Sequence, residues 1–84
     1  MNLPKNNDHP LIDVRTSEEF QAGHIPGAVN IPLDQIEKTD IESGSNLYCR
    51  SGRRSGIAQK LLKEKGISTN NLGGIEDYDG PIEK

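Results

Sequence analysis

Nine consecutive residues, Tyr48-Cys49-Arg50-Ser51-Gly52-Arg53-Arg54-Ser55-Gly56, constrain this chain more than any others. On their N-terminal side Leu47 and Tyr48 read as the end of a short buried strand. On their C-terminal side Ile57, Ala58, Leu61 and Leu62 recur at helical spacing from about Ser55 onward. The stretch is therefore a strand-to-helix turn, and a chain built on such a unit is α/β. Gly52 and Gly56 permit close approaches that a side chain would block, so successive N–H groups can converge on one concavity. That concavity surrounds Cys49, the single cysteine of the 84 residues, and three of the four arginines lie in the five positions after it.

Cysteine attacks as the thiolate, and its pKa falls at a helix N-terminus and beside fixed cations. This stretch supplies both, so an anionic substrate attacked by Cys49 is the natural expectation. A lone cysteine is most often a small buried hydrophobe. An inert one, however, has no use for a glycine turn and three arginines that must be kept solvated or paired. One cysteine excludes an internal disulfide, a Cys-x-x-Cys redox pair and a Cys-rich zinc site. No metal or cofactor is expected, and a covalent intermediate on Cys49 must be resolved by an outside molecule.

Lys and Arg total 10 against 13 Asp and Glu, so the formal charge is −3 and the basic character is local. That suits a small anionic ligand better than a nucleic acid. Phe20, Tyr48 and Tyr78 are the only aromatics, too scattered for base stacking. No apolar run approaches the length of a membrane span or a signal-peptide core, so a soluble, cytoplasmic monomer is expected. The length suits one domain over 1–84, near the lower limit for a self-sufficient core.

In chain order, Met1 to Pro10 reads as a loose lead-in, and Leu11 to Val14 as a buried strand with Asp13 and Arg15 at its carboxyl end. Thr16 and Glu19 form a capping box for a helix of little more than one turn that stops at Gly23. His24 precedes a Pro26-Gly27 turn and is read as fixing it. Ala28 to Ile31 resumes as a strand, and Leu33 and Ile36 suggest a brief helix. Leu47 to Cys49 is the next strand, and a helix runs from about Ser55 to Lys65. Ile67 to Leu72 is a weak strand candidate, and Gly73-Gly74 reads as a flexible turn. In a mainly parallel sheet ligands gather at the carboxyl ends of strands, which puts Asp13 and Arg15 near Cys49. Arg15 is expected to pair with Glu18 or Glu19, and Asp13 has an alternative role orienting loop amides near the sulfur.

Together these segments resemble a single-domain rhodanese, a thiosulfate sulfurtransferase. The resemblance rests on Asp13-Val14-Arg15, Glu19-Phe20, Gly23-His24-Ile25-Pro26-Gly27-Ala28, Asn30-Ile31-Pro32 and Tyr48 to Ser55, in that order, and spans about 11–74. It implies a rhodanese-like, mainly parallel sheet of four or five strands flanked by short helices. It also implies that Cys49 carries sulfur as a persulfide within a loop formed by Arg50, Ser51, Gly52, Arg53, Arg54 and Ser55, with Asp13 and Arg15 in support. The partners it implies are thiosulfate as donor and cyanide, a cellular thiol or a protein as acceptor. The lead-in before Asp13 is too short for the full strand and helix common in such domains, and the aromatic-bearing terminal helix is missing. Two alternatives compete. One is a sulfur-carrier module loaded by a partner protein. The other is a Cys-x5-Arg phosphatase or arsenate reductase, which needs an arginine where Ser55 stands.

Overall fold

The structure, a computed structural model, describes Met1, Leu3, Pro4 and residues 9–84. Half of the expected lead-in therefore lies outside the described residues. Four parallel strands form one sheet in the order β2-β1-β3-β4: β1 Leu11–Asp13, β2 Val29–Asn30, β3 Asn46–Cys49 and β4 Asn70–Gly74. Helix α1 (Ser17–Ala22) links β1 to β2, a 3₁₀ helix over Leu33–Lys38 lies between β2 and β3, and α2 (Arg53–Glu64) links β3 to β4. No helix among the described residues is long and apolar enough to cross a membrane.

Side-chain alternation along the strands divides the sheet into two chemically different faces. Ile12 and Val14 of the first strand and its exit, with Leu47 and Cys49 of β3, join Ile36, Ala58 and Leu62 in the apolar core. The intervening residues Asp13, Arg15 and Tyr48 face the other way and are also buried. The parallel register sets Asp13 beside Tyr48. Tyr48 accepts the Ile25 N–H on its hydroxyl at 3.1 Å, which fastens the turn after α1 to this second face.

Local sequence explains most of the elements. Thr16 and Glu19 cap α1 reciprocally, as their spacing requires. His24 donates to the Phe20 carbonyl through Nδ1 at 2.8 Å and stacks on the Phe20 ring, which anchors the chain to the end of α1 just ahead of the Pro26-Gly27 turn. Helix α2 starts two residues earlier than the apolar spacing indicates. Gly52 takes a left-handed conformation (φ 99°) that turns the chain straight from the loop into the helix. At its other end Ile67 N–H bonds to the Leu62 carbonyl across a left-handed Gly66, which closes the helix.

The expected flexible turn at Gly73-Gly74 is wrong: both residues belong to β4. Their purpose is close approach. A Cβ on Gly74 would strike the Arg50 carbonyl and the Ser51 Cα, and one on Gly52 would come within 3.1 Å of Gly73 Cα. The cysteine loop thus lies directly on the backbone of β4, which only glycine allows. The pairing of β3 with β4 shifts register after Leu47, where Leu47 faces Asn71 but Tyr48 faces Gly73. This bulge makes room for the loop.

Candidate functional site

Strand β3 carries Cys49 to the carboxyl edge of the sheet, and the next three residues fold back over its sulfur. Gly52 N–H donates to Cys49 Sγ at 3.0 Å, and Ser55 Oγ lies 3.5 Å from it. Burial pushes the thiol up, but the Ser55 hydroxyl and the backbone N–H groups of Ser55, Gly52 and Ser51 outweigh it and hold Cys49 below its ordinary value. Cys49 is only 1% exposed, whereas Arg50, Ser51 and Arg53 around it are exposed. The loop is therefore a donor-lined cup that presents cations at its rim and an activated sulfur at its base.

The three arginines have different fates. Arg54 grips Glu19 of α1 through two hydrogen bonds, 2.7 and 3.0 Å long. This contact draws the Glu19 carboxyl down to about 2. Held there, Arg54 still feels the charge of Cys49 and adds a fixed positive field. Arg50 is extended into solvent, with only a long 3.9 Å approach to Glu76. Arg53 has no ion-pair partner among the described residues. Arg50 also borders a groove of about 440 Å³ lined by Arg15, Glu19, Ile75, Glu76 and Ile82. A slightly larger hollow of about 460 Å³ sits against the outer side of α2 and includes neither Cys49 nor the arginines.

Asp13 and Arg15 correct the sequence expectation. Arg15 does not pair with Glu18 or Glu19; its guanidinium binds Asp13 through Nε at 2.9 Å and a terminal nitrogen at 2.5 Å, and also reaches the Gly23 carbonyl at 2.8 Å. Asp13 in turn accepts the Arg15 backbone N–H, so its carboxylate is consumed locally rather than orienting the cysteine loop. Residues two apart on extended backbone share a face, so the two side chains meet, and Glu19 and Arg54 add weaker charge interactions with the pair. Burial also pushes the Tyr48 hydroxyl up, so that it stays a neutral donor and acceptor beside this pair.

Sequence reasoning missed Asn71. Its amide donates to the Gly52 carbonyl at 3.1 Å, while its oxygen accepts the Gly73 N–H at 3.0 Å and the Ser55 hydroxyl at 2.6 Å. The one available signal was the glycine pair that follows it, which marks backbone contact rather than a free turn.

A parallel sheet whose inner strand delivers an activated cysteine into a loop of backbone donors at a helix N-terminus defines a domain for thiol-based group transfer. The chain belongs to the rhodanese family of sulfurtransferases and sulfur carriers: the Rhodanese-like domain family model matches residues 1–80. It is 38% identical over 77 residues to the thiosulfate sulfurtransferase PspE of Escherichia coli, covering 83% of this chain and 74% of that protein. It is 39% identical over 79 residues to "Putative sulfur carrier protein YrkF" of Bacillus subtilis, covering 87% of this chain but only 43% of that protein. Among solved structures, a rhodanese with anions from Escherichia coli superposes with a TM-score of 0.80 at 36% identity, over 90% of this chain and 98% of that one.

Proposed function

We propose that this domain transfers the sulfane sulfur of thiosulfate to a thiophilic acceptor through a persulfide on Cys49. The thiolate attacks the outer sulfur, the S–S bond of thiosulfate breaks, and sulfite leaves with that bond's electron pair. The enzyme then carries Cys49–S–S⁻, which loses its terminal sulfur to cyanide or a thiolate and regenerates the Cys49 thiolate. The N–H groups of Ser51, Gly52 and Ser55 hold the anion throughout, and Arg50 and Arg53 attract the dianionic donor and stabilise departing sulfite.

The observation that carries this reading is the donor set closed tightly on the sulfur, with Ser55 at 3.5 Å in the place where phosphoryl chemistry would need a guanidinium. A cup of this kind suits a single added sulfur atom better than a tetrahedral oxyanion. Intact mass after incubation with thiosulfate tests it: wild type gains one sulfur, cyanide removes it, and Cys49→Ser gains none. Turnover of an aryl phosphate with no sulfur adduct would overturn it.

The carrier reading has its own support in the 1% exposure of Cys49 and in the likeness to YrkF. It predicts loading from a persulfidated protein and none from free thiosulfate, which the same mass measurement separates.

A further inference from the structure

We propose that Asn71 is a positioning residue that controls the direction of the Ser55 hydroxyl, drawing its single proton away from the Cys49 sulfur or releasing it to that sulfur. The inference rests on Cys49 being the reacting atom. A serine hydroxyl has one proton to donate, and three acceptors surround this one: Asn71 Oδ1 at 2.6 Å, the Gly52 carbonyl at 3.1 Å and Cys49 Sγ at 3.5 Å. The amide of Asn71 can be oriented only one way. Its nitrogen donates to the Gly52 carbonyl, and its oxygen accepts the Gly73 N–H at 3.0 Å. Reversing it would set an NH₂ group against an N–H. The oxygen therefore faces Ser55 and is the nearest acceptor for its proton.

Two arrangements follow. With a neutral thiol at Cys49, Ser55 donates to Asn71, and the serine oxygen is left to accept from the S–H. With an anionic sulfur, charge draws the hydroxyl across, because hydrogen bonds to ionised groups are roughly twice as strong as neutral ones. The change strands no polar group. Asn71 Oδ1 keeps the Gly73 N–H, and the Gly52 carbonyl keeps both the Asn71 amide and the Gly56 N–H at 3.1 Å. Asn71 thus competes with the sulfur for a donor, and the strength of that competition sets how readily Cys49 becomes anionic.

The charged groups around the sulfur are Arg50 beside it in the loop with Glu76 against it, Arg53 and Arg54 on α2, Glu19 of α1 behind Arg54, and the Asp13–Arg15 pair on the β1 side. On β4, Asn71, Gly73 and Gly74 are all uncharged. Asn71 is itself at the surface, so replacing it removes no core contact.

The test is the pH dependence of iodoacetamide alkylation of Cys49 in the full chain. Asn71→Ala removes the competitor and should lower the midpoint by about half a pH unit, the scale of one modest hydrogen bond. Asn71→Asp keeps an acceptor and strengthens it with charge, so it should raise the midpoint. Both variants lose the amide donor to Gly52, and the new carboxylate raises the midpoint by its charge alone, so the direction of the Asn71→Ala shift and its dependence on Ser55 carry the test. In a Ser55→Ala background Asn71→Ala should shift nothing. A rise or no change in Asn71→Ala, or a shift of Asn71→Ala that survives in Ser55→Ala, would overturn the proposal. The readout is the thiol itself, so it stands or falls separately from loading by thiosulfate.

Discussion

Asp13 and Arg15 show how a single pair can be indispensable without touching the reacting atom. The Asp13 carboxylate is fully buried and accepts three kinds of Arg15 N–H, from the backbone, Nε and a terminal nitrogen. Arg15→Ala would strand that charge and should cost about 3–5 kcal/mol in urea unfolding. Arg15→Lys keeps the charge but loses the planar fork and the bond to Gly23, so it should recover only part of the loss. A cost of Arg15→Ala below about 1 kcal/mol would mean that water, not Arg15, satisfies Asp13. At this scale the donors on Cys49 were legible because Gly52 and Ser55 lie within six residues of it. The partner of Arg54 was not, since Glu19 stands 35 residues away and local rules had already assigned its carboxylate to capping α1.

Helices α1 and α2 are joined across the carboxyl edge of the sheet by that Glu19–Arg54 contact. Because the folded-state carboxyl is held near 2 by Arg54, its stabilisation is fully present above the ordinary carboxyl range and is lost as pH falls from about 4.5 toward 2. Glu19→Gln should cost about 1 kcal/mol at pH 7, a figure reduced for partial solvent screening. The gap between wild type and variant should shrink as pH falls below about 4.5 and close only toward pH 2; a gap of constant size would exclude the ion pair as its cause. Strand β4 makes a second test. Gly74→Ala sets a methyl against Arg50 and Ser51, so the loop must lift from the strand. Sulfur loading should fall at least about tenfold while far-UV circular dichroism stays native, since the clash meets the loop and not the core. The helices and the first three strands were readable from caps and apolar runs. Strand β4 was readable only in part: the candidate over Ile67 to Leu72 overlaps it but starts early and stops short of Gly73-Gly74, because Asn70-Asn71-Leu72-Gly73-Gly74 has neither alternation nor β-branched residues and is held as a strand by β3 and the loop.

The whole molecule carries a net charge of −3, yet the cup opens among Arg50, Arg53 and Arg54. A local positive rim on an acidic body should still draw in a dianion, so the rate of sulfur loading from thiosulfate should drop severalfold as ionic strength rises from about 0.02 to 0.5 M. A rate that rises with salt would mean that the overall charge governs approach. The family and its parallel sheet were legible from spaced motifs, whereas the strand order with β1 and β3 inside needed the long-range pairing. One further consequence follows from the way β4 underlies the loop. The groups that tune the sulfur are set by a strand that begins 21 residues after Cys49, past the whole of α2. Until that strand docks, nothing holds the loop's donors on the sulfur and the cysteine behaves as an ordinary thiol. Chemical reactivity is therefore itself a report of completed folding. On the proposed function, a half-formed or damaged copy of this domain would be slow to capture sulfur.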